Sequence, residues 1–175
     1  MRWGLLIGLI ATLGATAARA EVVDAQANGF EVRRTVTIDA PPAKVYAALL
    51  APSGWWSHTF SGDPKNLSIE PKAGGCWCEA LPKTKGSVAH MRVIYVDPGS
   101  LIRFEGGLGP MQQTGASGHL TWQVATKGSG TEVTWTYDVG GYMRGGLTPM
   151  AGAVDGVFAE MMGRLKKKVE TGKPG

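Results

Sequence analysis

Apolar and polar residues alternate between residues 118 and 140, interrupted by the turn at residues 127–130. A period of two is typical of β-strands with one buried face, so this segment predicts a β-hairpin. After Pro149 the period changes, and apolar residues recur every three or four positions, as in an amphipathic helix. The helical stripe consists of Val154, Val157, Phe158, Met161 and Leu165. A half-buried sheet and one long striped helix are expected to cover each other, and a curved sheet can leave a cavity between them.

The preceding part of the chain consists of short β-favouring segments separated by turn residues. The predicted strands are residues 30–38, 67–70, 76–81, 88–96, 101–106, 119–125 and 133–139. Pro41 and Pro42 predict the start of a helix that runs to about residue 50, and a second short helix is predicted near residues 52–56. This order predicts an α+β fold with a curved seven-stranded antiparallel sheet, two short helices after the first strand and one long C-terminal helix.

The turn positions also predict which residues face each other across the hairpins. The predicted pairs are Trp77–Met91, Cys78–His90, Arg92–Glu105, Val93–Phe104, Tyr95–Ile102, Leu120–Tyr137 and Trp122–Trp135. These registers gather the large apolar side chains on one face of the sheet and leave charged residues on the other. Glu79 is the one acidic residue on the apolar face, whereas Cys76, Cys78 and His90 are predicted on the outer face.

The first twenty residues have the pattern of a secretory signal peptide. Arg2 supplies a positive charge, residues 5–18 are apolar and uncharged, and residues 18–20 read Ala-Arg-Ala. The apolar run is shorter than the roughly 20 residues that a membrane-spanning helix needs. We therefore expect cleavage after Ala20, a periplasmic or secreted protein, and no stable membrane insertion after cleavage. Residues 21–29 are then an N-terminal extension, residues 30–170 a single domain, and residues 171–175 a flexible tail.

Charge gives no indication of nucleic-acid binding. The chain carries a net charge of +4, and removal of Arg2 and Arg19 leaves 16 basic against 14 acidic side chains, a net charge of +2. The one basic run, at residues 166–168, closes the predicted helix, where cations favour the helix dipole. No phosphate-binding glycine loop, catalytic-triad order or histidine-rich zinc spacing occurs, so we expect no cofactor.

Four short motifs, in this order, resemble the START-like, or SRPBCC, superfamily and its polyketide cyclase/dehydrase branch, which is similar to activator homologues of heat-shock-protein ATPases. The motifs are VTIDAPPAKVY at residues 36–46, AGGCW at 73–77, VDPGSLI at 96–102 and GTEVTW at 130–135. The resemblance covers most of residues 30–170 and implies a helix-grip domain with a ligand cavity between the sheet and the terminal helix. It does not imply one activity, because the superfamily includes lipid carriers, cyclases, hydroxylase parts and co-chaperones.

The residues on the apolar face are the predicted ligand contacts, and their alternative role is ordinary core packing. The set is Trp77, Glu79, Met91, Tyr95, Phe104, Trp122, Trp135 and Tyr137. Most of the aromatic members carry N–H or O–H groups that need hydrogen-bond partners when buried, and water or a ligand in a cavity would supply some of them. Large or charged loop residues predict the mouth of this cavity. These residues are Trp55, Trp56, Tyr142 and Arg144.

Glu79 is the predicted general acid or base if the protein is an enzyme. Burying a carboxylate without a partner costs several kcal/mol, or the group becomes protonated. A carboxyl group perturbed in this way is a candidate for general acid or base catalysis. The alternative is that Glu79 lies at the end of the sheet and reaches solvent. Asp155, which flanks the helical stripe, is expected to be solvated.

Cys76, Cys78 and His90 form a second group of reactive side chains. Residues i and i+2 of a strand lie about 6.5–7 Å apart on one face, near the upper limit for a disulfide. Free thiols, a disulfide within or between chains, and a soft metal site for Cu(I) remain open from the sequence.

The sequence therefore predicts an exported binding protein for a small or medium apolar molecule. Two alternatives stay open at this point. One is a cyclase, dehydratase or isomerase that uses the same cavity, with Glu79 as the base and a tyrosine as the proton donor. The other is a co-chaperone-like protein-interaction module. The sequence does not determine the oligomeric state.

Overall fold

A computed structural model describes residues 20–175, and the predicted signal peptide, apart from Ala20, lies outside the described residues. The described chain folds into one antiparallel sheet of eight strands with two α-helices. The strands are β1 Ala20–Gln26, β2 Gly29–Ile38, β3 Leu67–Ile69, β4 Cys76–Leu81, β5 Gly86–Asp97, β6 Leu101–Gly106, β7 Gly115–Lys127 and β8 Gly130–Tyr142. The helices are α1 Pro42–Leu49 and α2 Thr148–Thr171. The strand order is β1-β2-β8-β7-β6-β5-β4-β3, and the predicted α+β class is confirmed.

Two details of the predicted architecture are wrong. The sheet has eight strands because residues 20–26, within and next to the predicted N-terminal extension, form β1 and pair with β2. This edge strand has a weak apolar signal, since Val22 and Val23 are both exposed. The predicted second short helix is a single 3₁₀ turn at Pro52–Gly54, because a proline and a glycine within three residues do not favour a longer helix.

Most of the predicted strand registers are confirmed. Trp77 faces Met91, and Trp122 faces Trp135. The pairs Arg92–Glu105, Val93–Phe104 and Leu120–Tyr137 are also observed. Where the turn position is predicted correctly, the predicted apolar side chains therefore lie on the inner face of the sheet.

Two irregularities in β5 make the remaining registers wrong. The pairing shifts between Trp77 and Cys78, so Cys78 faces Ala89 and His90 has no direct partner on β4. A β-bulge of this kind sends the extra side chain to a different face. His90, predicted on the outer face, is therefore buried on the inner side with only 4% exposure.

The second irregularity, between Val93 and Tyr95, reverses the direction of Tyr95. Tyr95 faces Arg103 instead of Ile102, and half of its side chain is exposed. The Arg103 guanidinium lies 5.7 Å from the centre of the tyrosine ring, a cation–π distance. The predicted inward direction of Tyr95 is wrong for this reason.

Helix α2 packs its apolar stripe on the inner face of the sheet, as the sequence predicts. Val154, Phe158, Met161 and Leu165 are all buried. Among residues 20–175 there is no helix with the length and apolarity needed to cross a membrane.

An ion pair fixes α2 on the sheet. The Arg34 Nε and Nη2 atoms of β2 donate to the two oxygens of Asp155 at 2.7 and 2.9 Å. The two side chains are only 12% and 18% exposed. Asp155, expected from the sequence to be solvated, is therefore paired in the bidentate geometry that makes arginine–carboxylate contacts strong.

Replacing Asp155 with alanine should lower the free energy of unfolding by about 1–3 kcal/mol, because the largely buried guanidinium of Arg34 loses both acceptors. Urea denaturation measures this change. Glu105→Ala is the matched control, since it breaks the exposed pair with Arg92 and should cost about 0–1 kcal/mol. Equal losses in the two variants would contradict the stabilising role of the Arg34–Asp155 pair.

Candidate ligand site at a buried histidine–glutamate pair

Five tryptophan side chains, here called the tryptophan layer, occupy the centre of the space between the sheet and α2. They are Trp55, Trp56, Trp77, Trp122 and Trp135, each no more than 4% exposed. The rings of Trp56 and Trp77 meet edge to face with centroids 4.7 Å apart, and those of Trp122 and Trp135 stack at 5.0 Å. Phe158 of α2 closes the contact at 5.4 Å from Trp135. The centre of the fold is therefore packed core.

The polar atoms of this layer are only partly satisfied. The Nε1 atoms of Trp55 and Trp56 donate to the carbonyl oxygens of Ala48 and His58, at 2.9 and 2.8 Å. Three other indole Nε1 atoms are buried without a hydrogen-bond partner in residues 20–175. They belong to Trp77, Trp122 and Trp135. Edge-to-face contacts bring the positive edge of one ring to the negative face of another. Aromatic rings therefore occupy the positions next to these N–H groups where a ligand or water was expected from the sequence.

The main cavity, of about 490 Å³, lies beside the tryptophan layer. It is bounded by the N-terminal half of α2, the loop at residues 56–60 and the segment at residues 108–111. Most of its lining side chains are apolar. These are Trp56, Phe60, Leu108, Pro110, Met111, Met150, Ala153, Val154, Val157 and Phe158. The volume falls within the range of roughly 300–1,000 Å³ that is usual for small-molecule sites.

The loop at residues 56–61 is held to the fold on both sides of the cavity. On the α2 side, the Ser57 hydroxyl donates to Glu160 at 3.0 Å, and His58 Nε2 lies 3.2 Å from the same carboxylate. On the sheet side, the backbone N–H groups of Phe60 and Ser61 donate to the Glu79 carboxylate at 3.1 and 2.5 Å. The wall of the cavity is therefore tied both to α2 and to β4.

Glu79 is fully buried, so the alternative in which it reaches solvent is wrong. Its Oε2 atom lies 2.9 Å from His90 Nε2, in addition to the two backbone contacts. Burial by itself would raise the pKa of Glu79, but the hydrogen bonds from Ser61, Phe60 and His90 outweigh it and lower the pKa below the ordinary 4.5. The carboxylate is therefore ionised at neutral pH.

His90 separates Glu79 from the ligand space, because His90 lines the main cavity and Glu79 does not. A carboxylate only accepts hydrogen bonds, so His90 Nε2 must carry the hydrogen between them. Burial lowers the pKa of His90 below 6.5, and the attraction of Glu79 offsets only part of this effect. The imidazole is therefore neutral near pH 7, with its lone pair on Nδ1.

Tyr137 positions the opposite wall and is not available as a proton donor. Its hydroxyl donates to the Gly106 carbonyl at 2.8 Å and accepts from the Leu108 N–H at 3.1 Å. Burial raises its pKa to about 12. The chain turns at Gly106 with φ +144°, where a side chain would also lie 3.2 Å from the His90 carbonyl oxygen, so glycine is needed to bring this wall next to His90.

A second cavity, of about 360 Å³, lies on the other side of His90. Its lining is more polar and includes Arg92, Glu105, Gln112 and Thr114. His90 and Met111 line both cavities. Since Arg92 is 64% exposed, this cavity connects the neighbourhood of His90 with solvent.

The predicted site residues are buried as expected, with the exception of Tyr95, but they form the core beside the main cavity. Of the eight predicted contacts none lines the main cavity, and Met91 lines the second cavity. The predicted mouth residues separate in the same way. Trp55 is core, Trp56 lines the main cavity, and Tyr142 and Arg144 are exposed residues outside its lining. Sequence reasoning missed the α2 wall, although its i, i+3, i+4 pattern was visible, because the same pattern is typical of core packing.

Cys76 and Cys78 form a disulfide within strand β4, with Cα atoms 5.3 Å apart. His90 lies on the opposite face, so the three side chains do not meet, and the metal site considered from the sequence is wrong. Within residues 20–175 no group of three or more histidine, cysteine or acidic side chains is placed to hold a metal ion.

A family model described as "Polyketide cyclase / dehydrase and lipid transport" matches residues 29–170. Among the curated proteins, none matches this chain.

Solved structures share the fold at low sequence identity. A Staphylococcus saprophyticus protein is 17% identical, with a TM-score of 0.57 over 82% of this chain and 93% of its own. The Aha1 dimer from Colwellia psychrerythraea is 19% identical, with a TM-score of 0.56 over 82% and 98%. DynU16, from the dynemicin biosynthetic locus, is 24% identical, with a TM-score of 0.57 over 82% of this chain and 48% of its own. Likenesses at this level establish the fold alone.

The lowered pKa of His90 makes stability depend on pH. As the pH falls through 6.5, the ordinary pKa of histidine, His90 becomes protonated in the unfolded chain but stays neutral in the folded one. The free energy of unfolding therefore decreases by up to about 1.4 kcal/mol per pH unit. His90→Gln should make this decrease shallower, as measured by urea denaturation from about pH 8 to about pH 5.

His119→Gln is the control for this experiment, because His119 is exposed on the outer face of β7. That variant should keep the pH dependence of the parent protein. An unchanged dependence in His90→Gln would contradict the burial of a neutral imidazole at this position.

Proposed function

Because the chain belongs to the polyketide cyclase / dehydrase and lipid transport family, we propose that it binds a small or medium apolar molecule in the main cavity. The observation that carries this proposal is a cavity of about 490 Å³ with a mostly apolar lining and His90 at one wall. Apolar walls with a few convergent polar groups are the usual composition of small-molecule sites.

The surroundings of the cavity support this proposal. Entry is available beside His58 and Phe60, whose side chains are about half exposed. Among residues 20–175, Phe60 is one of the few exposed large apolar side chains, and it lies at the cavity, where a ligand would cover it. The buried end offers His90, whose neutral ring can accept one hydrogen bond at Nδ1.

A second candidate function is an enzyme of the cyclase, dehydratase or isomerase type. The specific observation in its favour is the buried His90–Glu79 pair, since perturbed titratable groups beside a cavity are typical of active sites. The general base in such an enzyme would be His90, since Glu79 is enclosed behind it. The likeness to the Aha1 dimer concerns the fold, and no surface feature of the described residues favours a co-chaperone role for this chain.

We also propose that the protein is exported after cleavage behind Ala20. The pattern of residues 1–20 supports this, and the Cys76–Cys78 disulfide agrees with it because disulfides persist in oxidising compartments. Cleavage at that bond would leave Glu21–Gln26 of β1 in place.

Filling the main cavity should weaken binding of an apolar probe. Ala153 lines the cavity, and we expect Ala153→Trp to weaken binding of N-phenyl-1-naphthylamine by about tenfold or more, equivalent to about 1.4 kcal/mol. Probe fluorescence measures the affinity. The neighbouring Gly152 is exposed with no atom within 4 Å of an added Cβ, so Gly152→Trp should bind like the parent protein. Equal binding by Ala153→Trp would contradict the proposed site.

Export can be checked by expressing the full chain in a Gram-negative host and recording the intact mass from each cell fraction. We expect a periplasmic chain that begins at Glu21 and lacks the two thiol hydrogens of Cys76 and Cys78. Ala20→Arg removes the small residue at the cleavage position and should block processing. An uncleaved parent chain confined to the cytosolic fraction would disprove export.

A further inference from the structure

We propose that His90 is a general base that removes an acidic hydrogen from an apolar carbonyl compound bound in the main cavity. This inference rests on the proposed binding function and adds a reaction and a substrate class to it. The geometry that carries it is a neutral imidazole between an enclosed carboxylate and a ligand-sized apolar space.

The tautomer follows from the contact with Glu79. Nε2 donates to the carboxylate at 2.9 Å, so Nδ1 of the neutral ring holds the lone pair. No hydrogen bond to Nδ1 is found within the described chain, residues 20–175. The proton-accepting atom of His90 is therefore left for a ligand.

Glu79 lowers the free-energy cost of proton transfer to His90, because its attraction for the imidazolium offsets part of the effect of burial. Before the transfer the pair carries one negative charge among apolar side chains. After it the pair is an imidazolium–carboxylate contact with no net charge, and the negative charge lies on the enolate oxygen of the ketone. In known acid–base catalysis, a carboxylate hydrogen-bonded to the far side of a histidine stabilises the imidazolium in the same way.

The carboxylate is itself held in place. Phe60 N donates to Oε2, the oxygen that also contacts His90, and Ser61 N donates to Oε1. Glu79 therefore has little freedom to rotate away, and we regard it as a positioning residue that fixes the tautomer and orientation of the catalytic His90.

The cavity lining defines the substrate class. The walls carry no aspartate, glutamate, lysine or arginine side chain, so a charged acid or phosphate ester would be desolvated without a partner. An apolar ketone loses little on entry, and its α-hydrogens are weakly acidic. His58 is no equivalent base, because it and its partner Glu160 are about half exposed and solvent screens their interaction.

Proton removal from the ketone and its return require no co-reactant. The α C–H bond breaks, its electron pair moves into the carbonyl group to give an enolate, and the proton joins Nδ1 of His90. The imidazolium then returns a proton to carbon and regenerates the ketone. The second cavity, beside exposed Arg92 and the Glu105 side chain, gives His90 contact with water, so the returned proton can come from solvent.

The test is hydrogen–deuterium exchange at the α-carbons of 2-tetralone in D₂O, followed by proton NMR, with ketone binding measured in parallel by saturation-transfer NMR. We expect saturable exchange that the protein accelerates. His90→Gln should bind the ketone with similar affinity and lose about 10²–10⁴-fold of the protein-dependent rate, the usual contribution of a positioned base. His119→Gln, on the outer face, should exchange at the parent rate.

Binding without accelerated exchange would overturn the inference and leave the proposed binding function standing. Absence of ketone binding, together with absence of N-phenyl-1-naphthylamine binding, would overturn both. If His90→Gln loses its fold by near-ultraviolet circular dichroism, His90→Ala with added imidazole provides the test. Restored exchange is expected, and a folded variant that imidazole does not rescue would contradict the role of His90.

Glu79→Gln separates positioning from mere structural support. We expect it to lower the exchange rate at saturating ketone, to leave ketone affinity unchanged, and to shift the pH profile of the rate, since the imidazolium loses its carboxylate. The other titratable or charged groups that line the two cavities with His90 are His58, Arg92 and Glu105, and none of them changes in this variant. An unaltered pH profile in the folded variant would contradict the positioning role.

Discussion

The buried carboxylate of Glu79 constrains the whole candidate site. An ionised carboxylate without partners inside a protein costs several kcal/mol, so the fold must bring donors to it. It does so from the loop, through the N–H groups of Phe60 and Ser61, and from β5, through His90. One charge thereby joins β4, β5 and the wall of the main cavity. The same contacts fix the protonation state of the imidazole that the cavity presents to a ligand.

The tryptophan layer determines where the cavity lies. Trp55 and Trp56 turn inward from the loop after α1 and pack against the indoles of the sheet, which fills the centre beneath α2. The main cavity lies beside this layer, next to the N-terminal half of α2. The aromatic core and the cavity wall are therefore separate parts of the layer between the sheet and α2. The Arg34–Asp155 pair holds α2 on β2.

Periodicity was sufficient to predict seven of the eight strands, the long helix and most hairpin registers, because alternate burial and turn chemistry are local properties of the chain. The bulges in β5 were not predictable in this way, since nothing in the residues at 88–96 marks where an extra residue is inserted. One bulge turned Tyr95 outward, and the other brought His90 inward. Glu79 was predicted correctly on the inner face of the sheet, with access to solvent left open, but its partner could not be identified until the bulge was known. The inward turn of Trp55 and Trp56 depended on tertiary packing of a loop, which composition does not encode.

The central claim is that Glu79 holds a neutral His90 with its lone pair on Nδ1, beside the main cavity. Nitrogen-15 NMR of the histidine side chains at neutral pH measures this state directly. The account predicts a hydrogen-bearing Nε2 signal and an unprotonated Nδ1 signal for His90, with the Nδ1 signal shifting when an apolar molecule fills the cavity. A doubly protonated ring, a hydrogen on Nδ1, or signals indifferent to cavity occupancy would contradict it.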